Sequence, residues 1–365
     1  MTIQLPLRRS IVVVGASTGG IEALELLVGN LPEDFAASIF VVVHLAADSP
    51  GVLPDMLARA GKLPAVQAHD GDAILPRRIY VAPPDRHLLL ERGHVRLTHG
   101  PKENRFRPAI DPLFRSAAYA YGPEVIGIVL SGALDDGTAG LWAIKERGGL
   151  AVVQEPNEAL NPSMPLNALK YVHVDYRLPV AEIAQVLTRL VGEPVPEGAA
   201  PVSDASQPDA QAPDAPQPKD AQPKDAQPQD TESDALQIET KIALEDNPLA
   251  AGVMTLGPLS PYTCPECSGV LMQLKEGGIL RFRCHTGHAY SVESLLASIG
   301  ESIEKTLWNT VRVLEENMLL LRHLGRHAAD QQDNALARRL ALKAQSAEDQ
   351  VQIVRQLALR TRDGE

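Results

Sequence analysis

The chain holds three cysteines in 365 residues, all of them between Cys264 and Cys284. A disulfide framework is excluded, and no thiol remains elsewhere for redox chemistry or nucleophilic attack. Such cysteine usage suits a reducing compartment. Aromatic residues are 4%, so a core must be built from Val, Leu, Ile and Ala. No apolar run reaches eighteen residues, so no membrane-spanning helix is expected. The apolar stretch Ile11 to Ala16 is too short and wrongly flanked for a signal peptide. An excess of positive charge is also missing. With 34 Lys and Arg against 46 Asp and Glu, the net charge is -12. That argues against a partner that is nucleic acid or an anionic membrane. The expectation is a cytoplasmic protein without membrane insertion.

What is present divides by composition. Between Pro201 and Asp230, 25 of 30 residues are Pro, Asp, Ala or Gln, and Gln-Pro-Lys-Asp-Ala occurs at 217–221 and 222–226. Such a tract buries too little apolar surface to offset the entropy of ordering it. A disordered linker is expected over 197–250. Before it, apolar β-branched runs at Ile11–Val14, Ile39–Val43, Ile79–Ala82, Val125–Leu130 and Leu150–Val153 alternate with helical patterns. These are Ile21–Val28, Val52–Ala60, Pro112–Ala120, Gly137–Arg147 and Val180–Leu190. Alternation of this kind predicts an α/β domain over 1–196, a doubly wound, mostly parallel sheet. A hairpin is expected at Leu88–Thr98. After the linker, a small zinc-ribbon-like unit is expected at 251–298 and a helical hairpin at 299–365. In the hairpin, Ile303, Leu307, Val311, Leu314, Met318 and Leu321 share one face.

Gly15-Ala16-Ser17-Thr18-Gly19 is a G-x-S-x-G sequence between a predicted strand and helix. Small residues allow a sharp turn that presents the Ser17 hydroxyl above the sheet edge. By itself the turn also fits a phosphate-binding loop or a purely structural bend. A P-loop is excluded because no Lys-Ser/Thr follows. His44 ends the strand Ile39–Val43, and Asp136 follows the strand Val125–Leu130. Singly, a strand-end histidine is more often structural, and an Asp-Gly is more often a turn. Together, Ser17, His44 and Asp136 all fall at carboxyl ends of strands, where α/β sheets gather their chemistry. Serine needs a base to take its proton, imidazole is that base, and a carboxylate fixes the imidazole tautomer. A dinucleotide-binding domain would instead carry an acid where His44 stands.

The same region resembles the catalytic domain of the chemotaxis protein-glutamate methylesterases. The resemblance rests on Val13–Gly20 (VVGASTGG), Val41–His44 (VVVH), Ala82–His87 (APPDRH), Pro108–Ala117 (PAIDPLFRSA), Leu130–Gly140 (LSGALDDGTAG) and Pro162–Pro165 (PSMP), in order over roughly residues 9–193. It implies hydrolysis of glutamyl methyl esters on chemoreceptor cytoplasmic helices, with methanol released, and deamidation of receptor glutamines. It implies that no cofactor is needed for catalysis. Carried over by position, Ser17 is the nucleophile, His44 the base and Asp136 the carboxylate. Thr18, Gly19, Ala133 and Leu134 are candidate oxyanion donors, and His87 a site-lining residue. Where the family pattern reads Asn-Asp-Gly, this chain has Asp135 before Asp136. Members in simple systems carry an N-terminal receiver domain. Its absence here leaves constitutive activity or control by the C-terminal region as the expectation. A receptor methyltransferase or a signalling kinase complex is a further expected partner. The alternative is a catalytically vestigial scaffold or adaptor in such a complex.

Cys264-Pro-Glu-Cys267 and Cys284-His285-Thr286-Gly287-His288 bracket a predicted hairpin around Glu276-Gly277-Gly278. That arrangement brings both knuckles to one point, as in a zinc ribbon. Cys264, Cys267, Cys284 and His288 are the candidate ligands of a structural zinc, with His285 the alternate. Four protein ligands close the coordination shell, which leaves no open position for catalysis.

Overall fold

The computed structural model describes residues 8–195, 228–244 and 247–362. Two compact units divide between Ser294 and Leu295. In the first, the chain runs β1 (Ile11–Ala16), α1 (Gly20–Gly29), β2 (Ser38–Val43), α2 (Leu53–Ala60), β3 (Ala65–Gln67), β4 (Arg78–Val81), β5 (His87–Glu91) and β6 (His94–Thr98). It continues through α3 (Ile110–Tyr121), β7 (Val125–Val129), α4 (Thr138–Glu146), β8 (Leu150–Gln154), α5 (Ser163–Tyr171), β9 (Tyr176–Leu178) and α6 (Val180–Gly192).

Seven strands form one parallel sheet in the order β3-β4-β2-β1-β7-β8-β9. The strands read as unbroken apolar runs because both faces are covered. Val12 and Val14 of β1 and Val41 and Val43 of β2 join Leu24 and Leu27 of α1, Leu57 of α2 and Leu187 of α6 in one core. Val13, Phe40 and Val42, one residue out of phase, face the other way onto Leu113 and Phe114 of α3, Ile144 of α4 and Met164 of α5. The five predicted strands and the hairpin β5–β6 are all present. The short strands β3 and β9 and the helix α5 were not predicted. Each short strand has three residues, too few to show a hydrophobic period.

The expected linker needs correction. Residues 196–227, which hold most of the Pro/Asp/Ala/Gln tract, lie outside the described residues. Pro228–Leu244, however, is a helix, α7. Its buried Leu236 packs into the α3-side core, and its buried Ile242 packs with Val253, Met272 and Leu274. The proline-rich composition does not extend to this helix: apolar residues return at Leu236, Ile238 and Ile242.

The ribbon is a four-stranded antiparallel sheet: β10 (Leu259–Thr263), β11 (Val270–Glu276), β12 (Ile279–Cys284) and β13 (Ala289–Ser291). It belongs to the same compact unit as the seven-stranded sheet. It is therefore not a separately tethered module. The helix α8 (Val292–Asp330) starts in this unit and runs into the second, where α9 (Asn334–Arg362) forms a hairpin with it. The predicted seam is realised in part: Val311 is buried and Leu307, Leu314, Met318 and Leu321 are half-buried, while Ile303 is exposed. Ala344, Ala347, Val351 and Ala358 are the buried residues of α9.

Candidate active site and candidate metal centre

Ser17, His44 and Asp136 follow β1, β2 and β7, three neighbouring strands at the centre of the sheet. β1 is the point where strand order reverses, the place where open α/β sheets hold their ligands. Ser17 sits in a turn that Gly19 closes at φ 72°, in the left-handed region where glycine is favoured. The turn is tied to the next strand's loop: the Ser17 amide donates to the Ser131 carbonyl at 2.9 Å, and the Ser131 hydroxyl donates to the Thr18 carbonyl at 2.7 Å. Gly132 packs against Ser17. A Cβ there would come within 2.8 Å of the Ser17 Cβ and would collide with the buried Met164.

The Ser17 hydroxyl is 3.1 Å from His44 Nδ1, and His44 Nε2 is 2.7 Å from Asp136 Oδ2. The side chains of His44 and Asp136 are 3% and 2% exposed. The imidazole lies flat on Phe106, with ring centroids 3.7 Å apart and planes 6° from parallel. Asp136 is surrounded by donors. Oδ2 accepts from His44 Nε2 and from the Ile110 amide at 2.7 Å; Oδ1 accepts from Asn104 Nδ2 at 2.8 Å and from the Gly137 and Asp111 amides at 3.0 and 3.2 Å. Burial alone would raise its pKa, but the hydrogen bond and Coulombic attraction of His44, with the hydrogen bonds from the Ile110 amide and Asn104, outweigh it and hold the carboxyl at about 2. An ionised Asp136 only accepts, so Nε2 carries the imidazole proton. That leaves Nδ1 free to accept from Ser17.

The neighbouring acids behave differently. Asp111 is pushed up to about 7 by burial and by Asp136. Asp135, where the family pattern has Asn, is pushed up to about 8 by burial and by its hydrogen bond with Glu293. It accepts a 2.6 Å hydrogen bond from Ser291 of β13.

Thr18 is exposed and Gly19 half-buried beside Ser17, and among the described residues their backbone amides donate to no acceptor. Ala133 and Leu134 lie in the loop after β7, with Leu134 at φ 62° and its carbonyl held by Asn167 at 3.0 Å. His87 does not open onto this edge. It is 1% exposed, its Nε2 donates to the Pro101 carbonyl at 2.9 Å, and its Nδ1 accepts from the Ala109 amide at 3.3 Å. Both ring nitrogens are used on backbone, so none is left for a substrate. Sequence reading missed Asn104, Phe106, Asp111 and Met164. Asp111 and Met164 stand inside quoted motifs without an assigned role. Asn104 and Phe106 sit in a loop whose contacts are set only by the fold.

At the ribbon, Cys264, Cys267 and Cys284 Sγ and a ring nitrogen of His288 lie within 4.8 Å of one another. Three edges are short: Cys267 to Cys284 at 3.6 Å, Cys264 to His288 at 3.7 Å and Cys284 to His288 at 3.6 Å. A tetrahedral zinc with Zn–S near 2.3 Å has donor edges of about 3.8 Å, so these residues fit the ion in number, type and spacing. His285 is exposed and outside the cluster.

A second charged assembly joins the ribbon to the sheet domain. Arg115 of α3 donates to Glu103 at 2.5 Å, and Arg283 of β12 donates to Glu103 at 2.9 Å and to Glu239 of α7 at 2.7 Å. Arg281 donates to Glu239 at 2.8 and 2.9 Å and to Glu276 at 2.9 Å. Burial would raise Glu103, but Arg115 and Arg283 hold it at about 2.

Comparison with protein families matches CheB methylesterase over residues 12–187. A Leptospira interrogans relative is 39% identical over 180 residues, covering 49% of this chain and 93% of that one. The Anaeromyxobacter dehalogenans protein-glutamate methylesterase/protein-glutamine glutaminase 2 is 39% identical over 183 residues, which is 50% of this chain and 54% of that one. The Thermotoga maritima CheB methylesterase catalytic domain, a solved structure, is 33% identical with a TM-score of 0.49 and covers 51% of this chain and 100% of that one. The chain belongs to the CheB methylesterase family.

Proposed function

We propose that this protein is a serine hydrolase that cleaves glutamyl methyl esters on chemoreceptor-type proteins, through Ser17, His44 and Asp136. The observation that carries the reading is the unbroken hydrogen-bond path from Ser17 Oγ through both nitrogens of His44 to an ionised Asp136. Ser17 Oγ attacks the ester carbonyl while Nδ1 of His44 takes its proton. The tetrahedral intermediate collapses, and the same proton leaves with methanol. Water, deprotonated by His44, then attacks the acyl-enzyme and returns free glutamate and Ser17. The amides of Thr18 and Gly19 are the proposed oxyanion donors, with the Ala133–Leu134 turn as the alternate source. A glutamine side chain would follow the same course with ammonia leaving, as the names of the relatives imply. Methylated receptor helices lie in the cytoplasm, and among the described residues no helix is long and apolar enough to cross a membrane. Methanol release from a carboxyl-methylated receptor cytoplasmic fragment tests the reading. Wild type is expected to release it and Ser17→Ala not to; equal release by both overturns it.

The ribbon is proposed to hold one structural zinc through Cys264, Cys267, Cys284 and His288. The fit of the donor edges to a tetrahedron supports this. Elemental analysis of the full chain is expected to find one zinc per molecule and to find it lost in a Cys264→Ser, Cys267→Ser double variant. Full occupancy in the double variant overturns the site.

A further inference from the structure

One short turn, residues 102–106, touches both the ribbon and the triad. On the triad side, Asn104 donates from Nδ2 to Asp136 Oδ1 at 2.8 Å and to Asp111 Oδ2 at 3.0 Å, while Phe106 stacks on His44. On the ribbon side, the Asn104 amide donates to the Ala289 carbonyl of β13 at 2.8 Å, and Glu103 is paired to Arg283 of β12. Asn104 Oδ1 accepts from the Ser291 amide at 2.9 Å and from the Ser294 hydroxyl at 3.0 Å.

The proton inventory fixes how these groups point. Ser291 and Ser294 cap α8: the Ser294 amide donates to the Ser291 hydroxyl at 3.0 Å, and the single Ser291 N–H is shared between the Ser294 hydroxyl and Asn104 Oδ1, at 2.9 Å to each. Each hydroxyl then has a single proton to donate. The shortest acceptor for Ser291 is Asp135 at 2.6 Å, ahead of the Ser294 hydroxyl at 3.0 Å, and for Ser294 it is Asn104 Oδ1 at 3.0 Å, ahead of the Ser291 carbonyl at 3.4 Å. With its oxygen occupied by two donors from the ribbon side, the Asn104 carboxamide has one orientation, and its two N–H bonds face Asp111 and Asp136. Asn104 is 4% exposed and left-handed at φ 47°, a conformation asparagine tolerates better than most residues.

We infer that Asn104, oriented by Ser291 and Ser294 at the ribbon–α8 junction, is a positioning residue for Asp136, so that the C-terminal ribbon is a working part of the catalytic domain. The inference rests on the triad reading above. The loss expected is in kcat, because no residue of this relay is placed to contact substrate.

The test uses the full chain, with p-nitrophenyl acetate as substrate and a fluorophosphonate to titrate active sites. Wild type, Ser17→Ala, Asn104→Ala, Ser294→Ala and Ser294→Thr are compared. Per titrated site, kcat is expected to fall about 30-fold in Asn104→Ala and about fivefold in Ser294→Ala, with KM unchanged. The scale is set by the cost of small misplacements of catalytic groups. Ser294→Thr keeps the hydroxyl and is expected to recover to within about twofold of wild type. Wild-type kcat in both alanine variants, alongside an inactive Ser17→Ala, overturns this inference and leaves the triad standing. An equal loss in Ser294→Ala and Ser294→Thr makes the contact structural and also overturns it. Turnover and labelling that survive in Ser17→Ala overturn the triad reading and this inference with it.

Discussion

Two buried charged assemblies lie in the same compact unit, built on opposite plans. At the sheet edge one carboxylate, Asp136, is held ionised by a ring of hydrogen-bond donors: three backbone amides, the Asn104 amide and the His44 imidazole. Beneath the ribbon, Arg115, Arg281 and Arg283 are balanced by Glu103, Glu239 and Glu276. Hydrogen-bond donors fix direction. Removing one leaves the charge solvated by the others, so the damage is to geometry and to rate. Opposite charges fix charge balance. Removing one strands its partners in a medium that cannot solvate them. The first assembly therefore suits chemistry, and the second suits fastening.

The sharpest way to break that contrast is at Glu239, which is fully buried and touches all three arginines. Glu239→Gln keeps the shape and removes the charge. Unfolding by denaturant is expected to show a loss of about 3–5 kcal/mol, the usual cost of orphaning a buried ion. A loss under about 1 kcal/mol would mean that the cluster is not dry, and the contrast fails.

A smaller effect separates the adjacent acids Asp135 and Asp136. Asp135 sits near 8 in the fold against an ordinary 3.8, so the folded state holds a proton that the unfolded chain releases. Stability contributed this way is full below about 4 and declines as pH rises toward 8. Asp136 and Glu103, held near 2, act in the other direction: their contribution is full above their ordinary values and is lost as pH falls toward 2. Asp135→Asn is expected to flatten the decline between pH 4 and 8 and leave the acid side unchanged. Asp111, raised to about 7, supplies the slope that remains. Melting temperatures across that range decide it; an unchanged slope in Asp135→Asn contradicts the protonated state of Asp135.

The parallel sheet was legible because its strands are continuous β-branched runs, and Ser17, His44 and Asp136 were legible because each follows the carboxyl end of such a run. The resemblance to a known family suggested the roles proposed for them. The second assembly was not legible. Glu103 and Arg283 are 180 residues apart in the chain, and nothing local marks either as buried. One trace existed: Arg281 and Arg283 alternate on β12 with Phe282 between them, so period-two reading places two arginines on a single face. The helix α7 was hidden by its neighbour, the proline-rich tract, whose composition was extended too far. A histidine in a motif does not show in sequence whether its ring nitrogens are already spent on backbone, as both nitrogens of His87 are.

The central claim is that Ser17, His44 and Asp136 act as one unit, and non-additivity measures that most directly. Methanol release from a methylated receptor fragment would be compared for wild type, Ser17→Ala, Asp136→Asn and the double variant. Asp136→Asn alone is expected to cost about 10⁴ in kcat. The double variant is expected to be no slower than Ser17→Ala, because a carboxylate that works only through the serine has nothing left to support. Losses that multiply in the double variant would show two independent contributions and contradict the triad.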